Sequence, residues 1–410
     1  MPNASAPELL SPAGSWEKME YAVRYGADAV YLGTSELTMR GATENFTAET
    51  LPEAVRYCHE RGVKVYLTTN TLPRNEEAAR LEELLESAAH AGVDALIAAD
   101  LCVLMQARRQ IPQVDVHIST QAGVVNYRTA EELHRLGAKR VILARELTLE
   151  EIRELRRRTS PELEIEAFVH GAMCISFSGR CVLSNYLAGR DSNRGECAQP
   201  CRWNWRLVEE KRPDEFYPVF ENDRGSYILN AKDLCMIEHL AELQAAGVTS
   251  LKIEGRSKSA YYAGVITNAY RAALDALCAE GGPRPLPDWA LEETRRVSHR
   301  QYGTGFYYGR PENGQNYERG GYVREWEVSA VVCGYQEGWL RCEERNRFRL
   351  GDRLEILEPG RPPEPLPVAG LRDGEGQPIE QANHPMMTVL IPSSRPYASG
   401  SILRRARENA

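Results

Sequence analysis

Five cysteines fall within residues 174–235, and their crowding raises the question of metal chemistry. They are Cys174, Cys181, Cys197, Cys201 and Cys235, half of the ten cysteines in the chain. A structural zinc site usually uses paired C-x2-4-C units, and only Cys197 and Cys201 come near that form. An iron–sulfur cluster tolerates wider spacing, because four thiolates need only converge from loops that the fold brings together. Four of the five cysteines could supply such ligands, and zinc stays an alternative.

The composition indicates which compartment and which cysteine chemistry to expect. The chain has 410 residues, is 42% hydrophobic and 26% charged, and carries a formal net charge of −8, which gives no global attraction to nucleic acid. Its first residues, "MPNASAPELLSPAGS", lack the basic and apolar regions of a signal peptide, so we expect a cytoplasmic protein with no membrane span. Reducing compartments disfavour disulfides. The scattered cysteines are expected to be buried and inert: Cys58, Cys102, Cys278, Cys333 and Cys342.

Eight short apolar runs alternate with segments of helical periodicity and predict the elements that position these residues. The runs lie at 8–10, 28–33, 64–69, 94–100, 115–120, 140–145, 163–171 and 250–255. Five are preceded by a glycine that suits a helix C-cap: "RYGADA", "ERGVKV", "HAGVDA", "RLGAKR" and "AAGVTS". This alternation predicts an α/β fold, a (β/α)8 TIM-like barrel with a cysteine-rich insertion after strand seven. A doubly wound open sheet is the structural alternative.

The rest of the chain has a different pattern. We place the barrel, including the insertion at 171–235, in residues 1–280, and a linker with a Gly/Tyr-rich loop in residues 281–324. Residues 325–410 contain short alternating runs broken by turns, which predict a small all-β barrel domain.

Polar residues stand at the predicted strand ends, where a barrel of this type has its functional groups. His117, Ser119 and Gln121 end strand five, and Glu166 and His170 lie on strand seven. Lys252, Glu254 and Arg256 lie on or just after strand eight. The cysteine segment starts directly after strand seven, so we expect it to open onto the same face.

The motifs resemble those of one family. The segment "EAFVHGAMCISFSGRCVLSNYLAGRDSNRGECAQPCRW" resembles the signature of the U32 peptidase (collagenase-like) family, and the resemblance extends to "ELLSPAGSWEKMEYAVRYGADAVYLG", "HISTQ", "NAKDLC" and "KIEGR". It covers about the first 280 residues. With its C-terminal β-rich region, the chain is most similar to the branch of prephenate-dependent tRNA uridine hydroxylases.

That resemblance implies an oxygen-independent hydroxylase with a 4Fe-4S cluster, which forms 5-hydroxyuridine at the wobble position of tRNA. The family's ligands match Cys174, Cys181, Cys197 and Cys235, with Cys201 as the alternative ligand. Relatives also act on rRNA or on a quinone precursor, and these substrates stay alternatives. A homologous partner subunit or a homo-oligomer is a further expectation.

The same resemblance suggests roles for the strand-end residues. A dicarboxylate such as prephenate needs cations and donors, for which His117, Gln121, Lys252 and Arg256 are candidates. Glu166, His170 and Glu254 could move protons, and structural hydrogen bonding is the alternative for each.

For RNA, arginines and tryptophans around the cysteines could hold phosphates and stack a base: Arg180, Arg190, Arg194, Arg202, Arg206, Trp203 and Trp205. Residues 180–225 carry eight basic and eight acidic residues, so an ordinary solvated surface is as consistent with the sequence.

A peptidase, which the family name suggests, finds little support in the residues. No H-E-x-x-H pair and no G-x-S-x-G motif is present in the sequence. Peptidase or collagenase activity is therefore kept as the alternative function.

Overall fold

A computed structural model describes residues 6–34, 37–38, 45–174, 176, 181, 183–192, 195–202, 208–209, 212–216, 221–222, 225–226, 231–309 and 322–407. The chain divides into two compact units. The first comprises Met1–Met19, Ala27–Lys258 and His299–Tyr322, and the second comprises Glu20–Gly26, Ser259–Ser298 and Val323–Ala410. Each unit is built around its own sheet.

The first unit contains a closed parallel barrel. Its strands, numbered β1 to β8 in chain order, are Glu8–Pro12, Ala29–Leu32, Lys64–Thr69, Ala95–Ala98, Asp115–Ile118, Arg140–Ile142, Glu164–Ala172 and Ser250–Ile253. Each strand pairs in parallel with the next, and β8 pairs with both β7 and β1. This last pairing closes the sheet, so the (β/α)8 prediction is confirmed and the open doubly wound sheet is excluded.

Helices follow the strands as the alternating pattern predicts. Those of the first unit are Leu51–His59, Asn75–Ala78, Leu81–Ala91, Leu101–Gln110, Tyr127–Arg135, Leu149–Arg157, Leu183–Ala188 and Leu240–Ala245, and Trp16–Arg24 spans the unit boundary. Short 3-10 turns lie at Thr120–Ala122, Pro200–Arg202 and Ile237–His239. The five predicted C-cap glycines all have positive φ angles, between 72° and 106°. Each therefore ends a helix in the left-handed conformation before the chain enters the next strand.

Between β7 and β8 the chain makes the predicted insertion. It contains the antiparallel pairs Val208–Glu209 with Arg212–Phe216 and Glu221–Asn222 with Gly225–Ser226. The strand Asp233–Cys235 then returns antiparallel to β7, and Tyr302–Gly303 pairs in parallel with it. The barrel sheet thus extends at β7, beside the start of the cysteine segment.

The second unit is dominated by an antiparallel sheet. Its seven strands lie in the order Glu364–Pro367, Arg353–Leu357, Ile402–Ala406, Trp326–Gln336, Trp339–Glu344, Thr388–Pro392 and Arg372–Asp373. The short strands Phe348–Arg349 and Gln381–Ala382 pair separately. The prediction of an all-β region at the C-terminal end is confirmed, and it has its own apolar core around Val332, Leu340 and Phe348.

The same unit includes the helices Ala260–Leu277 and Asp288–Arg295. Within the described residues 281–309 and 322–324, for which we predict linker and Gly/Tyr-rich loop, the structure thus contains the helix Asp288–Arg295 and the strand Tyr302–Gly303. Pro287 is the N-cap residue of the second helix, where the N–H that proline lacks is not needed for a helical hydrogen bond. The domain boundaries at 280 and 325 stay predictions. Among the described residues, no helix is both long and apolar enough to cross a bilayer.

Candidate functional site at the barrel mouth

The interior of the barrel holds a network of charged side chains centred on Arg140. Its guanidinium donates to Glu8 at 2.6 Å, to Glu164 at 2.8 Å and to Glu166 at 3.0 Å. Glu166 is fully buried and also accepts a 2.8 Å hydrogen bond from Lys252 Nζ. Buried charges are stable only when paired and hydrogen-bonded, and this network meets that condition.

Lys252 connects the network to the barrel mouth. It lies on β8 with its ammonium 4.5 Å from the Tyr31 ring centroid and 5.5 Å from that of Phe168. Burial lowers the pKa of Lys252 below its usual value, and the carboxylate of Glu166 opposes that shift. A buried ammonium beside aromatic faces is a suitable partner for an anion that enters the mouth.

Arg256 is held in place by three side-chain oxygens. Nη1 donates to Thr38 Oγ1 at 2.7 Å and to Thr68 Oγ1 at 2.8 Å, and Nη2 donates to Asn45 Oδ1 at 2.8 Å. A Cβ atom at Gly33 would lie 2.6 Å from Nη2, so this position leaves room for the guanidinium only as glycine. Arg256 is therefore a fixed cation at the end of β8.

Glu254 is placed by its neighbours on β7 and β2. Its backbone N–H donates to the His170 carbonyl at 2.9 Å, and its Oε2 lies 3.3 Å from Tyr31 Oη. Gly171 has a φ angle of +110°, and a Cβ there would lie 2.3 Å from the Glu254 carbonyl oxygen. The "HGA" run thus needs glycine for a close approach of the two strands.

The two predicted histidines are buried and neutral. Burial lowers the pKa of His170 to about 3, and burial followed by the nearby Arg140 and Lys252 lowers that of His117 well below its usual range. A neutral His170 can accept a hydrogen bond from Tyr302, whose Oη lies 3.3 Å from Nε2. The His117 ring packs edge-on against the Tyr66 ring, with 4.6 Å between the ring centroids.

A pocket of about 70 Å³ opens at the carboxyl ends of the strands. Its lining contains Tyr31, Thr68, Asn70, Ile97, Ser119, Thr120, Gln121, Ile142, Arg145, Phe168, Lys252, Glu254 and Arg256. Three cations and several neutral donors thus face one carboxylate, Glu254. Such a lining suits a small anion whose oxygens accept several hydrogen bonds.

The structure brings together four of the predicted site residues and separates others. Gln121, Lys252, Glu254 and Arg256 line the pocket, whereas His117, Glu166 and His170 lie outside its lining. Arg180 lies outside the described residues, as does the side chain of Arg202. Any catalytic role for these residues stays a prediction.

The five clustered cysteines are free thiols that differ in their surroundings. Cys174 and Cys197 are exposed, and Cys181, Cys201 and Cys235 are half-buried. Backbone N–H groups of Leu183 and Gln199 donate to the sulfurs of Cys181 and Cys197, each at 3.4 Å.

Thiolates that accept amide hydrogen bonds are the usual ligands of an iron–sulfur cluster, so the cysteines fit such a cluster by their chemical type. Among the described residues, however, no three Cys, His, Asp or Glu side chains converge on one point. Of the scattered cysteines, only Cys58 and Cys342 are buried, so the prediction of burial is wrong for Cys102, Cys278 and Cys333. They lie at or near helix and strand surfaces that the sequence pattern does not distinguish from core.

Comparison with known proteins identifies the family. Residues 14–317 match the family described as Peptidase family U32, and residues 324–404 match the Peptidase family U32 C-terminal domain. The chain belongs to the U32 family. The family assignment made from the cysteine segment is thus confirmed.

Three relatives of this U32 chain bear different names. The "tRNA hydroxylation protein P1" of Bacillus subtilis is 36% identical over 408 residues, covering 98% of this chain and 95% of that protein. The "tRNA hydroxylation protein P" of Escherichia coli is 37% identical over 395 residues, covering 86% of each. A protein named "Collagenase" from Porphyromonas gingivalis is 33% identical over 313 residues, covering 74% of this chain and 73% of that protein.

Arg145 and Asn70 line the pocket of the U32 barrel but were not among the residues predicted from the sequence. Arg145 follows β6 by three residues, and Asn70 directly follows β3. Arg145 donates to the Ala172 carbonyl at 2.8 Å and lies 3.9 Å from the Phe168 ring centroid. The rule that strand ends carry functional groups applies to β3 and β6 as well, and would have found both.

Proposed function

We propose that this chain is an RNA-modifying enzyme that hydroxylates a tRNA uridine to 5-hydroxyuridine at the wobble position. The observation that carries the proposal is the cationic pocket at the mouth of a U32 barrel, directly beside the strand from which the cysteine segment starts. The two relatives named for tRNA hydroxylation match this chain over most of its length and support the same activity.

Prephenate is our proposed co-substrate. Its two carboxylates would each need a cation, and Lys252, Arg145 and Arg256 line the pocket. Arg256 can present its guanidinium without reorganising, because Thr38 and Thr68 already fix it. Gln121, in the turn that follows β5, offers a neutral donor in the same lining.

A 4Fe-4S cluster is our proposed cofactor, with Cys174, Cys181, Cys197 and Cys235 as ligands. It would supply electron transfer when bound. The amide hydrogen bonds to the Cys181 and Cys197 sulfurs support these two positions. Cys201 is the alternative fourth ligand.

The test is complementation in an Escherichia coli strain that lacks its own tRNA hydroxylation protein P and any second route to the nucleoside. Mass spectrometry of digested tRNA should show 5-hydroxyuridine derivatives restored by the wild-type chain. Arg256→Lys keeps the charge but loses the planar fork, and should restore them poorly. A nucleoside profile that wild-type protein leaves unchanged, with the protein present at normal levels, contradicts the proposal.

Peptide hydrolysis is the second candidate, favoured by the name of the Porphyromonas relative. Gelatin cleavage by anaerobically purified protein tests it. Within the described part of the site, His117 contacts Tyr66 and His170 contacts Tyr302. Gelatin cleavage that persists in Cys174→Ala protein without iron would favour hydrolysis over hydroxylation.

A further inference from the structure

Strand β7 contains a bulge next to the pocket. In its parallel ladder with β8, Phe168 pairs with Lys252. The next pair joins His170 to Ile253, so Val169 is an extra residue on β7. A bulge bends its strand locally and re-aims the side chains that follow. The alternation of side chains along β7 therefore shifts by one residue at Val169.

The bulge decides which β7 side chains reach the barrel mouth. Glu166 lies in the interior network, and Phe168, two residues later, lines the pocket. Regular alternation would put His170 on the same face of the strand. Instead, His170 lies outside the pocket lining and contacts Tyr302, whose Oη is 3.3 Å from Nε2. The bulge thus explains why Phe168 lines the pocket and His170 does not.

Arg145 depends on groups on both sides of the bulge. Its Cζ lies 3.9 Å from the Phe168 ring centroid, and its Nη1 donates to the Ala172 carbonyl at 2.8 Å. Phe168 precedes Val169 and Ala172 follows it, so the shape of the bulge sets the separation of the two groups that hold Arg145. The Lys252 ammonium also lies 5.5 Å from the Phe168 ring centroid. Two cations of the pocket therefore lie against a ring that the bulge positions.

Tyr307, from the Gly/Tyr-rich loop, holds the bulge in place. It is 6% exposed, and its hydroxyl donates to the Phe168 carbonyl at 2.6 Å. Burial raises the pKa of Tyr307, so the hydroxyl keeps its proton and stays a donor. The Tyr307 carbonyl in turn accepts from the Leu149 N–H at 2.9 Å, at the start of the helix after β6. Loss of the hydroxyl would cost the buried Phe168 carbonyl a hydrogen bond, and the bulge could then relax.

We infer that Tyr307 is a positioning residue for the anion pocket, whose hydroxyl holds the β7 bulge so that Phe168 and Arg145 face the mouth. Tyr307 is absent from the pocket lining and acts through the Phe168 carbonyl. The inference rests on the proposed function only for the identity of the anion. Residues coupled through a shared backbone shift commonly alter each other's effects by about 2- to 150-fold.

The first test uses full-length protein and needs no anion. Phenylglyoxal modifies accessible arginines, and peptide mass spectrometry gives the rate at Arg145 relative to that at the exposed Arg109. Tyr307→Phe removes one oxygen atom and should raise the Arg145 rate about tenfold, because the ring against the guanidinium is released. Tyr308→Phe is the matched control from the same loop, since Tyr308 is 53% exposed and its hydroxyl donates to Glu242. Equal Arg145 rates in the two variants overturn the inference.

A second variant shows whether Tyr307 acts through Phe168. Phe168→Leu removes the ring but keeps the carbonyl that accepts from Tyr307, and it should raise the Arg145 rate to a similar extent. Adding Tyr307→Phe should then change the rate by less than about twofold, because both substitutions release the same contact. A further tenfold increase in the double variant would show that Tyr307 acts by another route, and would refute the inference.

Binding of prephenate connects the inference to the proposed function. In equilibrium titrations, Tyr307→Phe should weaken prephenate binding about tenfold, and Tyr308→Phe should leave it unchanged. In an Arg145→Met background, the loss caused by Tyr307→Phe should shrink to about twofold. An equal loss in both backgrounds contradicts positioning of Arg145. If wild-type protein binds no prephenate but the Arg145 rates change as expected, the co-substrate is refuted and positioning by Tyr307 is supported.

Discussion

Mild acid should destabilise the barrel through its two buried histidines, and His170 allows the size of the effect to be calculated. Burial lowers its pKa to about 3; the nearby Asp233 raises it, and His299 and Lys258 lower it. In the unfolded chain the imidazole should titrate near its ordinary pKa of about 6.5. Between these two values the unfolded chain binds a proton that the folded barrel rejects, so stability falls as the pH decreases.

The magnitude follows from the two pKa values. At pH 7 both states are mostly neutral, and at pH 5 the unfolded imidazole is protonated while the folded one is not. Each pH unit below about 6.5 costs about 1.4 kcal/mol, so His170 should remove about 2 kcal/mol between pH 7 and pH 5. His117, whose pKa is lowered by burial and then by the nearby Arg140 and Lys252, should add a further loss of the same sign.

The assay is urea-dependent hydrogen exchange of peptides that cover residues 164–172, which reports on the barrel unit alone. His170→Gln protein should lose about 2 kcal/mol less opening free energy between pH 7 and pH 5 than wild-type protein does. His90→Gln, which removes an exposed histidine, should behave as wild type. An equal loss in His170→Gln and wild type would show that His170 accepts its proton in the folded barrel.

Three further variants test other parts of the structure. Gly33→Ala should displace the Arg256 guanidinium, because the new Cβ would lie 2.6 Å from Nη2. The free energy of unfolding, measured by thermal unfolding, should fall by about 1–3 kcal/mol. A stability equal to that of wild type would contradict the packing argument. Glu293→Ala leaves Arg404 buried without the Glu293 carboxylate, whose oxygens accept from its two Nη atoms at 2.5 and 2.6 Å. The free energy of unfolding of the second unit, measured in urea, should fall by about 3–5 kcal/mol. A change below about 1 kcal/mol would show that water reaches the pair. For the proposed co-substrate prephenate, Arg145→Met should raise the KM about tenfold or more in an assay of the proposed tRNA hydroxylation. An unchanged KM would remove Arg145 from the anion site.

The barrel could be predicted from the sequence because five of its eight strands are marked by two independent signals. An apolar run marks the strand, and a glycine with positive φ marks the preceding helix end, as at Gly92 before β4 and Gly137 before β6. Closure of the barrel depends on β8 pairing with both β7 and β1. No local sequence pattern indicates these pairings. The count of eight strands made closure the expected outcome.

The site was only partly predictable, because position along a strand does not give depth in the barrel. Both Glu166 on β7 and Glu254 directly after β8 are acidic residues of the predicted strand runs, yet Glu254 lines the pocket and Glu166 lies in the interior network. The partners that hold Glu166, Arg140 and Lys252, come from other strands.

The position of Glu166 changes what it can contribute to catalysis. A proton relay needs a carboxylate oxygen that the reactants can reach, but both oxygens of Glu166 are bonded, one to Lys252 and one to Arg140. Glu166 can still act on the pocket, because its charge opposes the desolvation that lowers the pKa of Lys252. Its influence on an anion in the mouth would therefore pass through the Lys252 ammonium. Glu166, predicted to move protons, is therefore better placed to keep the neighbouring Lys252 charged.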